Sequence, residues 1–382
     1  MTICTLGYGL RMYFCMMPKR IFIVAGEMSG DIHGALLIAQ LRKLMPDCII
    51  EGIGGPAMQE QGLHSIADFS SLNVSGFWEV VRKYSTLSSI LTQCKASLTN
   101  SVYDAFIGID YPGFNMRLGR YARSLGILSI CYIAPQLWAW GKSRADMVKK
   151  SYDELLTVLP FEDNFFSECG IQSKFVGHPL LDRPSLQQIT INRDSTTICL
   201  MPGSRKQELA HHLPILIPIA NTLLKANLAP VFCIPKQLVH LPICSSLHQF
   251  DIMHSTSELM QEAGVGCVKM GTSTLESALY GMPFISYYST SFLSYAISRN
   301  KITLPYISLP NILLQRPLIP EYIQGNANPN AMVTAIQDIL HQSQLRQSQL
   351  DGFMELRSLL GGSGASQRAA QLIMELIQER RK

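Results

Sequence analysis

Three short stretches carry the side chains best suited to chemistry. In the first, residues 196–208 read TTICLMPGSRKQE, where an apolar run from Ile198 to Met201 stops at Pro202-Gly203-Ser204 and gives way to residues of helical composition. A strand that ends in a Gly-Ser turn before a helix leaves backbone N–H groups at a positive helix end, which suits an anion. Arg205 stands where a guanidinium fork could take two phosphate oxygens; an ordinary turn with a surface arginine reads the same way. In the second, Gly271-Thr272-Ser273-Thr274-Leu275-Glu276 follows another apolar run. Thr272 and Ser273 at a helix start suit a diphosphate, and Glu276 one turn on suits a pair of ribose hydroxyls. The same residues also spell a capped helix, with Thr272 or Ser273 as cap and Glu276 closing the box. In the third, Asp110 ends an apolar run and precedes Tyr-Pro-Gly. A carboxylate there could act as a base toward a sugar hydroxyl or shape an Asx-type turn.

These stretches need elements to hold them. Apolar runs at 20–25, 48–53, 104–109, 127–133 and 155–159 alternate with helical patterns, the first of them at 33–44. The second half repeats the alternation with runs at 198–201, 230–234, 266–270 and 283–288. Between the first and last of these, the helix-like segment after Arg205 is broken by Pro214 and Pro218. Alternation of this kind predicts doubly wound parallel sheets, in which ligands bind beyond the carboxyl ends of the strands. Those ends carry Glu27, Ser29, Asp31, Asp110, Gln136 and His178. A polar, aperiodic stretch at 182–195 reads as the link between halves, and Gly361-Gly362-Ser363-Gly364 as a flexible joint before a final amphipathic helix.

Composition narrows the function classes. A chain of 382 residues, 47% hydrophobic and 16% charged, suits two globular domains, and no apolar run reaches the length of a membrane span. A net charge of +4 without a basic block argues against nucleic acid as partner and fits an anionic substrate or bilayer surface. Ten scattered cysteines with no CxxC pair read as buried free thiols, not as a zinc site. His211 and His212 are adjacent and would point apart on a helix, so no metal pair is expected. His178 in VGHP reads as a structural histidine. GxxxxGK[ST] and GxSxG are absent, and GIGGP breaks the dinucleotide fingerprint. The first 16 residues read as an extension or a start-site artefact, because Met16 and Met17 directly precede PKRIFIVAG. Leu72, Val74, Phe77, Trp78, Val80 and Val81 beside Arg82 and Lys83 could either fill a core or dock on an anionic bilayer.

Taken together, ten motifs in order make the chain resemble the lipid-A-disaccharide synthase family. They are AGEMSGD (25–31), GIGGPAM (52–58), SGFWEVV (75–81), GIDYPGFN (108–115), YIAPQLWAW (132–140), LPFE (159–162), FVGHP (175–179), MPGSR (201–205), GTSTLE (271–276) and SLPN (308–311). The resemblance implies a GT-B fold of two Rossmann-like domains across a cleft, residues 17–185 and 186–360, with residues 365–382 crossing back to the first. It implies an inverting transferase acting on UDP-2,3-diacylglucosamine and 2,3-diacylglucosamine 1-phosphate, with no cofactor and no metal. By the same resemblance Asp110 is the base and Arg205 holds the leaving diphosphate with Gly203, Ser204, Thr272 and Ser273. Glu276 takes the ribose, Asn311 a sugar or phosphate, and Glu27, Ser29 and Asp31 the acceptor. Val74, Phe77, Trp78, Val81 and Arg82 dock on the cytoplasmic face of the inner membrane, and a homodimer is left open.

Overall fold

The computed structural model describes residues 18–72, 84–186, 195–290 and 304–380. Strand β1, Arg20–Ala25, is buried from Ile21 to Ala25, as expected of a strand covered on both faces of a parallel sheet. Its side chains still alternate between two cores. Ile21, Ile23 and Ala25 join Ile107, Ile130 and Tyr132 on one side, and Phe22 and Val24 join Phe106 and Cys131 on the other.

Around β1 the chain lays down β2 (Ile49–Ile53), β3 (His64–Ser65), β4 (Ala105–Ile109), β5 (Leu128–Tyr132), β6 (Glu154–Thr157) and β7 (Ser173–Phe175). These form a seven-stranded parallel sheet in the order β3-β2-β1-β4-β5-β6-β7. A six-stranded parallel sheet follows, built from β8 (Thr197–Met201), β9 (Ala229–Cys233), β10 (Asp251–Met253), β11 (Val265–Lys269), β12 (Phe284–Tyr288) and β13 (Glu321–Ile323). Its order is β10-β9-β8-β11-β12-β13. Each sheet reverses direction once, between β1 and β4 and between β8 and β11, and those reversals are where an open α/β sheet leaves a crevice.

Every long apolar run of the sequence is a strand here, within a residue or two of its expected ends. The four strands that the apolar runs do not foretell, β3, β7, β10 and β13, are the sheet edges. They are two or three residues long and only partly covered, so they show no apolar run to read. The segment after Arg205 departs from expectation, forming one helix, Lys206–Lys225, that contains both prolines. Pro214 and Pro218 sit one turn apart on its exposed side, where water can serve the carbonyls they free. Leu209, Leu213, Leu216, Ile219 and Leu223 hold the opposite face in the core.

The glycine joint is also held more firmly than its composition suggests. Asp182 accepts the N–H groups of Gly364, Ala365 and Ser366 at 2.5, 3.2 and 2.7 Å, capping the last helix, Ala365–Glu379. Gly361, Gly362 and Gly364 take φ of 85°, 67° and 90°, a region glycine enters without strain. That last helix packs on Met28–Leu44 of the first domain, burying Ala369, Ala370, Ile373 and Ile377. Their cluster runs on into Met201 and Val268 of the second sheet and Leu275 of the helix Thr272–Leu279, so one apolar core spans both halves. All eight described cysteines are free thiols, and all but Cys169 are buried. Among the described residues no helix is long and apolar enough to cross a membrane.

Candidate active site

The first crevice forms where β1 and β4 run out side by side, with Ala25 in register with Ile109. Beyond them Asp110 and Tyr111 both turn left-handed, at φ 47° and 50°, before Pro112 opens the helix Pro112–Ser124. Two such residues in succession cost about 1–2 kcal/mol each. Buried Asn115 offsets the strain, its Nδ2 donating to the carbonyls of Asp110, Ile109 and Val24 at 2.8, 3.3 and 3.2 Å. Gly26 is needed opposite, because a Cβ there would lie 2.4 Å from the Tyr111 ring. The Tyr111 hydroxyl donates to the Leu72 carbonyl at 2.9 Å. The result is a fixed Asp110 carboxyl, pushed up to about 6 by burial first and then by the charge of Glu27, against the pull of the Tyr111 N–H.

The second crevice forms beyond β8. Gly203 takes φ 115°, and a Cβ there would meet the Glu208 carboxylate at 2.2 Å. Glu208 folds under the turn, accepting the Ser204 N–H and the Lys269 ammonium, each at 2.8 Å. Burial alone would raise its pKa, but Lys269, the Ser204 N–H and Arg205 bring it below the ordinary value. The N–H of Ser204, expected to be free for an anion, is therefore occupied. His212 Nδ1 meets the Pro202 carbonyl at 2.6 Å and its Nε2 the backbone of Ser289, which fixes the turn from behind. Burial lowers the pKa of His212, while His211 is exposed; the pair does point apart. Arg205 is extended and reaches across to Glu27, Nη2 to Oε2 at 3.4 Å.

Past β11 the helix Thr272–Leu279 starts after Gly271, which takes φ 137°, and no side chain caps it. The capping-box reading fails, because Glu276 turns instead to Arg183, 2.5 Å away. Thr272 joins Ser29, Asp110, His33, His178 and Glu162 around one small cavity between the two sheets. Residues from both halves of the sequence thus meet at one place.

Two expected ligand residues are engaged elsewhere. Asp31 is buried, and its two oxygens accept the N–H groups of Ala57 and Met58 at 3.1 and 3.0 Å; it anchors the GIGGPAM turn. Asn311 is buried and spends its amide on Glu321 and on both backbone groups of Ile319; it ties the SLPN helix to β13. Ser273 is partly exposed at the helix start beside Thr272. Val74, Phe77, Trp78, Val81 and Arg82 lie outside the described residues.

The structure adds residues to which the motifs gave no role. Glu162 of LPFE accepts Trp138 Nε1 and the N–H groups of Val158 and Leu159 at 3.0, 3.1 and 3.0 Å, and burial pushes it up to about 7. His33 and His178 meet edge to face with ring centres 6.3 Å apart. Burial drives both below the ordinary imidazole value, His178 to about 3. His178 Nδ1 accepts the Leu180 N–H at 3.2 Å, so it is structural, as its setting in VGHP suggested. Ile133, a β-branched residue held at φ 66°, forms part of the cavity wall. Asn115, Glu162 and His178 all sat inside quoted motifs, whereas nothing in the polar link marked Arg183.

The chain is similar to known proteins at two levels. Its fold matches the UDP-GlcNAc 2-epimerase of Neisseria meningitidis bound to UDP-GlcNAc, at TM-score 0.65 and 11% identity over 93% of this chain and 100% of that one. It also matches the calicheamicin glycosyltransferase CalG4, at TM-score 0.60 and 14% identity over 95% and 99%. Such neighbours establish the GT-B fold. Sequence likeness is much closer to the lipid-A-disaccharide synthase of Syntrophus aciditrophicus, 36% identical over 95% of this chain and 99% of the relative. The synthase of Anaeromyxobacter sp. (strain K) is 32% identical over 96% and 100%, and lipid-A-disaccharide synthase 2 of Legionella pneumophila (strain Paris) 31% over 94% and 97%. The profile of the lipid-A-disaccharide synthetase family matches residues 21–375, and the chain belongs to that family.

Proposed function

We propose that the protein is an inverting glycosyltransferase that moves 2,3-diacylglucosamine from UDP to the 6-hydroxyl of 2,3-diacylglucosamine 1-phosphate. The products are the β-1′,6-linked lipid A disaccharide 1-phosphate and UDP. The observation that carries this reading is the meeting of Asp110 and Thr272 around one cavity, beside the reach of Arg205 across to Glu27. Asp110 takes the proton of the acceptor hydroxyl as that oxygen attacks the anomeric carbon; the bond to the diphosphate breaks and UDP leaves with the electron pair. A carboxyl held near 6 is ionised at pH 7 yet more basic than one in water. Arg205 offsets the charge that develops on the leaving diphosphate, beside Gly203, Thr272, Ser273 and the hydroxyl of Ser204, whose N–H is taken by Glu208. Glu276 is the ribose partner, with Arg183 fixing its carboxylate. Glu27 and Ser29 face the acceptor.

The likeness of the fold to a UDP-GlcNAc-bound epimerase supports a UDP-sugar as donor. It does not favour epimerisation, because relatives at 31–36% identity are synthases and the epimerase is alike at 11%. In this reading residues 17–185 with 365–382 form the acceptor side and 186–360 the donor side. The Phe77-Trp78 stripe meets the cytoplasmic face of the inner membrane, where the acyl chains of both substrates lie. The test is UDP release from UDP-2,3-diacylglucosamine in detergent micelles with EDTA present. Release that requires the monosaccharide 1-phosphate is expected; release without it would replace the transferase with a hydrolase.

A further inference from the structure

The ion pair between Glu27 and Arg205 raises a difficulty for the site as described. It is a contact by which the second crevice reaches the first, at 3.4 Å and with both side chains partly exposed. Arg205 is also the residue that must turn to the donor's diphosphate. When it does, Glu27 loses its counter-charge. The register explains where that charge is felt. Ala25 pairs with Ile109, so Glu27, two residues beyond β1, and Asp110, one beyond β4, leave neighbouring strands side by side.

We propose that Glu27 is a donor-released latch: it holds Arg205 while the cleft is empty, and once the diphosphate takes Arg205 its freed carboxylate faces Asp110 and strengthens that residue as a base. This rests on the roles given above to Asp110 and Arg205. The proton of the acceptor hydroxyl then meets its strongest acceptor only when a donor is in place. Besides facing the acceptor, Glu27 acts on the proton transfer through Asp110 and Arg205, and in that role is a positioning residue.

The other groups around Asp110 do not supply this coupling. Tyr111 lies on its own turn, and Cys131 and Tyr152 face it from β5 and the segment before β6; burial keeps the thiol and both phenols protonated. His33 and His178 share the cavity and are neutral. Glu162 shares the cavity and is pushed up to about 7, but by burial first, against the N–H groups of Trp138, Val158 and Leu159, with Asp163 adding to it; Glu27 is not among the groups that shift it. Around Arg205 stand Glu208, committed to Lys269, and Tyr288, its phenol protonated by burial.

The experiment is Glu27→Gln and Glu27→Asp, each measured for UDP affinity by calorimetry and for the pH profiles of kcat and kcat/KM. Removing the competing carboxylate from an exposed pair should tighten UDP binding by about two- to fivefold. The same change should move the acid limb of kcat to lower pH and slow turnover at pH 7.5 by about threefold. Tighter binding with slower turnover is a signature that a merely structural residue would not give. Glu27→Asp should return the acid limb toward that of the native protein. In the unaltered protein the acid limb of kcat should lie at higher pH than that of kcat/KM for the donor, a comparison that needs no variant. Weaker or unchanged UDP binding in Glu27→Gln, or coincident limbs in the unaltered protein, would overturn the latch. Failure of the unaltered protein to bind UDP would instead overturn the function it rests on.

Discussion

The two crevices occupy the same place in two sheets of the same design, yet they are built by opposite means. Beyond β1 and β4 the chain accepts backbone strain at Asp110 and Tyr111 and clamps it with Asn115, so that a carboxyl sits in a place that favours its proton. Beyond β8 and β11 the chain uses glycines at positive φ and neutralises its own carboxylate with Lys269, leaving Arg205 to reach across to Glu27. The fold supplies a ligand position twice, and in the function proposed above the local side chains make one half a proton acceptor and the other an anion site. Catalysis of glycosyl transfer needs both, on opposite sides of one anomeric carbon.

If this division is right, removing each half should fail differently. Asp110→Asn keeps the shape of the first crevice and loses the base, so kcat should fall by about 10²- to 10⁴-fold, with UDP affinity by calorimetry unchanged. Arg205→Ala should lower kcat by about 10²- to 10³-fold and weaken UDP as well. Arg205→Lys should recover little, because a point charge does not replace a fork.

The comparison also shows what a sequence can and cannot disclose. Both crevices were legible because each follows strands buried along their apolar runs, and those runs end in glycine, proline or a charged residue. Asp110, Arg205 and Glu276 could be picked out as candidates for that reason, while Asp31 and Asn311 looked equally good. Only the fold shows that the amides of Ala57 and Met58 and the backbone of Ile319 have already taken their polar atoms. Asn115 and Arg183 were hidden for the converse reason, since Val24 and Glu276, which they meet, are 91 and 93 positions away in sequence, and Glu162 was hidden because its burial comes from the fold around it. Edge strands and the helix that runs through Pro214 and Pro218 depend on which face is covered, which local pattern does not state.

Smaller effects sharpen the contrast. kcat/KM for the donor should fall about tenfold per pH unit below about 6, as Asp110 of the donor-free protein gains its proton, and kcat in the donor-saturated protein should begin to fall at a higher pH. UDP binding should change only a few-fold over the same range, because the second crevice itself carries a guanidinium and a carboxylate held below its ordinary value and feels Asp110 only through Glu27. Gly203→Ala should disturb only the second crevice. Its Cβ meets Glu208 in a left-handed turn, so stability should drop by about 1–3 kcal/mol, read as a lower Tm, and UDP should bind several-fold more weakly.

The most direct test of the division between a proton-accepting crevice and an anion-holding one is to measure UDP binding and acceptor-dependent UDP release side by side in the Asp110→Asn protein. The division predicts native UDP affinity with release reduced by about 10²-fold or more. Release at the native rate would contradict it, and so would loss of UDP binding, since either result would mean that the two crevices do not divide the chemistry between them.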